Sequence, residues 1–164
     1  MATKEKALEG KKILIVDDEP DVLDTLEEML PMCQVTKATS FDQARGMFET
    51  RDFDMAILDI MGVDGYKLLE IANEKKVTAV MLTAHALSPE HTIRSFEGGA
   101  AYYVPKDKIV NIPTYLNDIL EAKQKGKSLW SRWMERMDSY YGQEFGSDWK
   151  DKDKEFWKNF NWYT

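Results

Sequence analysis

The sequence predicts an α/β fold: a doubly wound, five-stranded parallel sheet with a helical C-terminal extension. Three observations lead to it. Short apolar runs alternate with amphipathic stretches over the first 122 residues. The apolar runs are continuous, as in strands covered on both faces. All five tryptophans fall beyond residue 122, where the composition changes.

The elements follow in order. Ile13-Leu14-Ile15-Val16 is the first strand, and it runs into Asp17-Asp18. Pro20 opens a helix whose apolar side is Val22, Leu23, Leu26, Met29 and Leu30. Val35–Ala38 is a weak second strand. Ser40 with Gln43 three residues on reads as a helix cap, and Phe41, Ala44, Met47 and Phe48 form the face behind it. Met55–Leu58 is the third strand, ending at Asp59. Asp64-Gly65 turns into a helix through Ala72, and Ala79–Leu82 is the fourth strand, ending at Thr83. Ser88-Pro89-Glu90 starts the next helix and Gly98-Gly99 stops it. Ala101–Val104 is the fifth strand, followed by Pro105-Lys106. A last helix is expected over about 108–124, with Pro113 at or near its first turn.

Charge divides the 164 residues. The net charge is −7 overall, −9 over residues 1–122 and +2 over residues 123–164, where 11 of the 19 aromatics lie. The boundary falls at the polar stretch Lys123–Ser128 with its Gly126. A main domain over 10–122 and an aromatic-rich helical tail over 123–164 are expected. An acidic chain is a poor general ligand for nucleic acid or anionic membranes. No apolar run approaches a membrane span and the N-terminus lacks a signal-peptide core, so a cytoplasmic address is the default expectation. Cys33 is the only cysteine, which excludes an intrachain disulfide; it reads as a small buried apolar residue.

In open parallel sheets ligands sit beyond the carboxyl ends of the strands. Here those ends carry Asp17 and Asp18, Asp59, Thr83 and, just past the fifth, Lys106. Singly, carboxylates cap helices, threonines end strands and lysines are solvated. Four polar strand ends together are harder to assign to chance.

The runs Ile15-Val16-Asp17-Asp18-Glu19-Pro20, Ile57-Leu58-Asp59-Ile60-Met61, Met81-Leu82-Thr83-Ala84 and Tyr103-Val104-Pro105-Lys106 resemble the receiver domain of two-component response regulators, in the family's order. The resemblance covers about residues 10–122 and implies the flavodoxin-like strand order 2-1-3-4-5. It makes Asp59 the phosphoacceptor, taking phosphate from a sensor histidine kinase or a phosphotransfer protein. It makes Asp18 a direct Mg²⁺ ligand, Asp17 its close partner, and the backbone carbonyl of Met61 a further ligand. Thr83 would bond a phosphoryl oxygen, Lys106 would pair with the phosphoryl charge, and Tyr103 would be the switch aromatic. Tyr102 beside it makes that last assignment depend on register.

The residue types support this chemistry. Two carboxylates about 4 Å apart repel by roughly 4 kcal/mol at an effective dielectric near 20. A hard divalent cation with oxygen ligands relieves the repulsion and also accepts phosphate oxygens. A carboxylate can then act as nucleophile toward a phosphoryl group. One departure stands out. The family runs from the phosphoacceptor through a Pro to a Gly eight residues on, whereas Asp59 reaches Gly65 in six with no Pro. Two other classes compete: a degenerate receiver acting as a constitutive interaction module, and a haloacid-dehalogenase-type phosphatase. The second needs an Asp where Met61 stands. His85 and His91 read as surface residues.

In the tail, Trp130, Trp133, Met134, Met137, Tyr141 and Phe145 recur at helical spacing. Trp149, Phe156, Trp157 and Phe160 suggest a second short helix. Neither segment carries a basic recognition helix, so no DNA-binding output is expected here. The tail is expected to pack on the face of the fourth helix, fifth strand and fifth helix, in its own chain or in a homodimer.

Overall fold

The computed structural model describes residues 7–84, 89–125, 129–146 and 149. Five strands, β1 (Lys12–Val16), β2 (Gln34–Ala38), β3 (Met55–Asp59), β4 (Thr78–Thr83) and β5 (Tyr102–Pro105), pair in parallel in the order β2-β1-β3-β4-β5. This is the expected order. β3 is buried at every position, and β1 and β4 at all but their first, which is why these strands read as unbroken apolar runs. β2, at one edge, is half-buried and correspondingly weak in the sequence.

Among the described residues six helices connect and follow the strands: α1 (Pro20–Met29), α2 (Phe41–Thr50), α3 (Gly65–Glu74), α4 (Pro89–Glu97), α5 (Ile112–Lys125) and α6 (Leu129–Phe145). Right-handed crossovers put α1 on one face of the sheet and α2, α3 and α4 on the other, and α5 returns to pack beside α1. Pro20 is the first residue of α1, where its missing N–H costs nothing. At α2 the Ser40 hydroxyl accepts the Gln43 N–H at 3.2 Å, and the Gln43 side chain reaches back to accept the Thr39 N–H at 2.8 Å. The reciprocal cap is thus shifted one residue upstream. α4 stops where Gly99 turns left-handed at φ +94°. The expected cap Ser88 lies outside the described residues.

The helix after β5 begins later than its periodicity suggests. Lys106–Asn111 forms a 3-10 helix, and α5 starts at Ile112 with Pro113 next. Proline is tolerated in a first turn and not further in, so the α-helical start is set by Pro113.

β5 is the open edge of the sheet, and α6 covers it. Trp133, Met137 and Tyr141, four residues apart, are all buried on one stripe of α6. The Trp133 indole N–H donates to the Tyr103 carbonyl of the edge strand at 2.8 Å. On the other side of α6, Arg136 forks onto Asp118 of α5, Nε at 2.5 Å and Nη2 at 3.1 Å, and Arg132 adds a bond at 3.2 Å. Asp118 is buried, and Tyr102 donates to it at 3.0 Å. A buried carboxylate whose charge is met by two arginines of α6 is a built contact. Trp149 is buried against Tyr141 and Trp133. Phe156, Trp157 and Phe160 lie outside the described residues, as does the side chain of Trp130. Among the described residues no helix is long and apolar enough to cross a membrane.

Candidate functional site

Register brings the strand ends together. Val16 pairs with Leu58, so the next residues, Asp17 and Asp59, leave the sheet side by side. Asp59 pairs with Leu82, which puts Thr83 beside it, and Thr83 pairs with Pro105, which delivers Lys106. The Lys106 ammonium lies 3.0 Å from Asp17 Oδ2, 2.7 Å from Glu19 Oε1 and 3.5 Å from Asp59 Oδ1. Asp17 Oδ1 accepts the Glu19 N–H at 2.9 Å, and Asp59 Oδ2 accepts the Gly62 N–H at 3.2 Å. Thr83 is buried, and its hydroxyl donates to the Ala84 carbonyl at 3.1 Å. Asp17 and Asp59 are buried, whereas Asp18 is exposed at the rim.

The short loop after β3 closes by two close approaches. A Cβ on Gly65 would stand 2.3 Å from the Asp59 carbonyl oxygen, so α3 starts directly against the end of β3. A Cβ on Gly62 would stand 2.4 Å from Asp18 Oδ1, so the turn passes under the Asp18 carboxylate. Between them Asp64 takes a left-handed φ of +56°, a conformation Asp tolerates. The Met61 side chain is 69% exposed, on the solvent side of this turn.

β5 separates the two tyrosines left open by the sequence. Tyr102 turns toward α5 and bonds Asp118. Tyr103 turns toward α4, with its ring edge-on to Phe96 at a centroid distance of 6.3 Å. Tyr103 is 1% exposed, and its hydroxyl has no hydrogen-bond partner among the described residues. His91 departs from expectation: it is half-buried, stacked on Tyr66, with Nδ1 3.1 Å from the Tyr66 hydroxyl. His85 lies outside the described residues.

Comparison with known proteins accords with this geometry. A family model, the response regulator receiver domain, matches residues 13–116. The chain belongs to the response regulator receiver family. It is 36% identical over 103 residues to the two-component response regulator ARR18 of Arabidopsis thaliana, covering 59% of this chain and 16% of that protein. It is 32% identical over 118 residues to the rice regulator ORR25, covering 68% of this chain and 16% of that one. The chain therefore spans about one sixth of the length of these relatives. Among solved structures it is similar to a CheY-like receiver domain protein from Methanospirillum hungatei JF-1, with TM-score 0.63, 27% identity and coverage of 71% of this chain and 99% of that one. It is also similar to the response regulator DrrB of Thermotoga maritima, with TM-score 0.62, 25% identity and coverage of 70% and 54%.

The electrostatics of this receiver favour a cation at the acid cluster. Burial, the largest influence, pushes the Asp17 carboxyl from near 3.8 up to about 6, although the Glu19 N–H and Lys106 oppose it. Burial also raises Asp59, against Lys106 and the Gly62 N–H. Burial pulls Lys106 down, but Glu19, Asp17 and Asp59 together outweigh it and hold the ammonium above its ordinary value. Asp17 Oδ2 is buried and is met by that ammonium at 3.0 Å. Ligand oxygens of Asp17, Asp18 and Glu19 lie within 4.8 Å of one another. A clustered, all-oxygen set of carboxylate donors fits Mg²⁺.

Glu19 and Gly62 are the residues that the strand-end reading missed. Glu19 sits in the visible Asp17-Asp18-Glu19 run, but its bond to Lys106 depends on tertiary structure. Gly62 matters for the side chain it lacks.

A pH dependence follows for the metal-free receiver. A carboxyl whose folded pKa lies above its unfolded value holds its proton more tightly in the fold. Asp17 therefore contributes stability below about pH 4, which is lost as pH rises through about 6. Mg²⁺ coordination would need the deprotonated form, so binding there is expected to strengthen over the same range. The rise in melting temperature on adding Mg²⁺ is expected to be larger at pH 7.5 than at pH 5. Equal rises at both would contradict the role given to Asp17.

Proposed function

We propose that this chain is a phosphorylation-controlled signalling switch in which Asp59 accepts a phosphoryl group from the phosphohistidine of a sensor kinase or phosphotransfer protein. The observation that carries the reading is the meeting of Asp59, Asp17, Thr83 and Lys106 at four adjoining strand ends, with the ammonium 3.5 Å from Asp59 Oδ1. An Asp59 oxygen attacks phosphorus, the bond from phosphorus to the donor nitrogen breaks, and the imidazole leaves with a proton. Bound Mg²⁺ supplies charge neutralisation for the phosphoryl oxygens. Asp17, Asp18 and Asp59 would hold it through carboxylate oxygens and Met61 through its carbonyl. Lys106 gives up its bridge between Asp17 and Asp59 to face the phosphoryl charge. Thr83 turns its hydroxyl from the Ala84 carbonyl to a phosphoryl oxygen. These 164 residues act through protein contacts, without contact to nucleic acid, in the cytoplasm.

The test is intact mass after incubation with acetyl phosphate and Mg²⁺. Wild type is expected to gain one phosphate mass, and Asp59→Asn or a chelator is expected to abolish it. A phosphate persisting on Asp59→Asn would overturn the assignment. No phosphate on wild type would favour the alternative of a constitutive interaction module.

A further inference from the structure

Glu19 stands at the N-cap of α1, and its backbone is fully employed there. The N–H donates to Asp17 Oδ1 at 2.9 Å, and the carbonyl accepts from the Val22 and Leu23 N–H groups at 3.1 and 3.3 Å. The side chain does none of this local work. A residue at this position often bonds the first turn of its helix, but Glu19 makes no such bond. Among the described residues its carboxylate has one partner, the Lys106 ammonium at 2.7 Å. That is the shortest of the three carboxylate contacts Lys106 makes, with Asp17 at 3.0 Å and Asp59 at 3.5 Å. The ammonium therefore rests off-centre in the cleft, and the phosphoacceptor is the most distant of its three carboxylates.

We propose that Glu19 is a positioning residue that latches Lys106 away from Asp59 in the idle receiver and so sets the rate at which Asp59 is phosphorylated. The proposal rests on the reading of Asp59 given above. A lysine ammonium is a compact charge on a flexible four-carbon stem, so it moves between acceptors without any change in the backbone. The incoming phosphoryl group needs that charge, and every conformer in which it sits on Glu19 is withheld from the reaction. A site that is competent for only a fraction of the time responds in proportion to that fraction. The Glu19 side chain is 61% exposed, so water weakens the pair. A pair of this kind shifts the balance by about two- to fivefold, enough to slow phosphorylation without blocking it. Once the phosphoryl group is on Asp59 the ammonium faces it and Glu19 is released. Glu19 therefore acts on the gain of phosphate and not on its loss. A side chain that served the fold would affect both, but this one holds nothing else among the described residues.

The test follows full-length protein by intact mass, first during incubation with acetyl phosphate at saturating Mg²⁺ and then after the donor is removed. Glu19→Gln is expected to gain phosphate about two- to fivefold faster than wild type and to lose it at the wild-type rate. Glu19→Asp keeps the charge but is one methylene short of the ammonium, and it is expected to gain phosphate faster than wild type as well. Adding Glu19→Gln to Lys106→Ala is expected to leave the slow rate of Lys106→Ala unchanged. An equal acceleration in that double variant means that the lost carboxylate merely repelled the anionic donor, and it overturns the latch. A Glu19→Asp rate equal to wild type overturns it too, since charge without contact would then suffice. Faster loss of phosphate alongside faster gain in Glu19→Gln points to a general loosening of the site and overturns the positioning role. Calorimetric titration with Mg²⁺ supplies a readout apart from phosphorylation. Glu19→Gln is expected to lose far less affinity than Asp18→Ala, and an equal loss makes Glu19 a metal ligand and overturns the proposal. Wild type phosphorylated on Asp59 with no acceleration in Glu19→Gln overturns this proposal alone. Absence of phosphate on wild type overturns both readings.

Discussion

Trp133→Ala is expected to lower stability by about 3–5 kcal/mol, the range for deleting a fully buried large aromatic. Trp133 is 0% exposed, and its ring packs on Phe96, Tyr141 and Trp149. Its indole N–H also satisfies the Tyr103 carbonyl on the sheet edge. Truncation removes the packing, opens a cavity and leaves a buried acceptor unpaired. The loss is bounded by the docking energy of α6, because beyond that point the helix leaves the surface and the sheet survives. The expected reading is a melting temperature lower by roughly 10 °C for a chain of this size. Trp133→Phe should recover most of the packing but not the hydrogen bond, and fall between. A change under about 2 °C for Trp133→Ala would mean less than about 1 kcal/mol and that α6 contributes little to the fold.

How much of this was legible in the sequence follows from what each feature depends on. The strands were legible because Ile13–Val16 and Met55–Leu58 are buried on both faces, so no polar residue interrupts them. Helix starts were legible where chemistry is local, as at Pro20 and Ser40. The start of α5 was not, since Ile109 and Val110 continue the apolar pattern through a 3-10 turn and only Pro113 marks the change. At the site, the residue types at strand ends were visible, but their meeting is a matter of register, as when Val16 opposite Leu58 delivers Asp17 next to Asp59. Gly62 under Asp18 has no sequence signal beyond being glycine. The tail's apolar stripe was visible as a period. Its seat on the face of the fourth helix, fifth strand and fifth helix was expected, but its individual contacts were not, because the bond from Trp133 to Tyr103 spans 30 residues and the Arg136–Asp118 fork spans 18.

Lys106→Ala is expected to slow phosphorylation by acetyl phosphate about 10²-fold or more, the usual loss when a charge-stabilising donor is removed from a transition state. It is expected to leave Mg²⁺ affinity equal to wild type or higher. Both effects follow from where the ammonium sits. With no cation present it stands between Asp17 and Asp59 and also bonds Glu19, doing for those acids what a cation would do. Mg²⁺ has to compete with it, so its removal lightens the competition. Removal also leaves the buried Asp17 without a counter-charge, which raises its carboxyl further and makes the metal-free variant less stable at neutral pH than at pH 5. Mg²⁺ should restore more stability to Lys106→Ala than to wild type. Lys106→Arg is not a conservative control, since a planar guanidinium cannot sit as a point charge among three carboxylates. Calorimetric Mg²⁺ titration at pH 7.5 and an intact-mass time course separate the two effects. If the variant loses Mg²⁺ affinity as far as Asp18→Ala does, Lys106 belongs to the metal's support and not to the phosphoryl group.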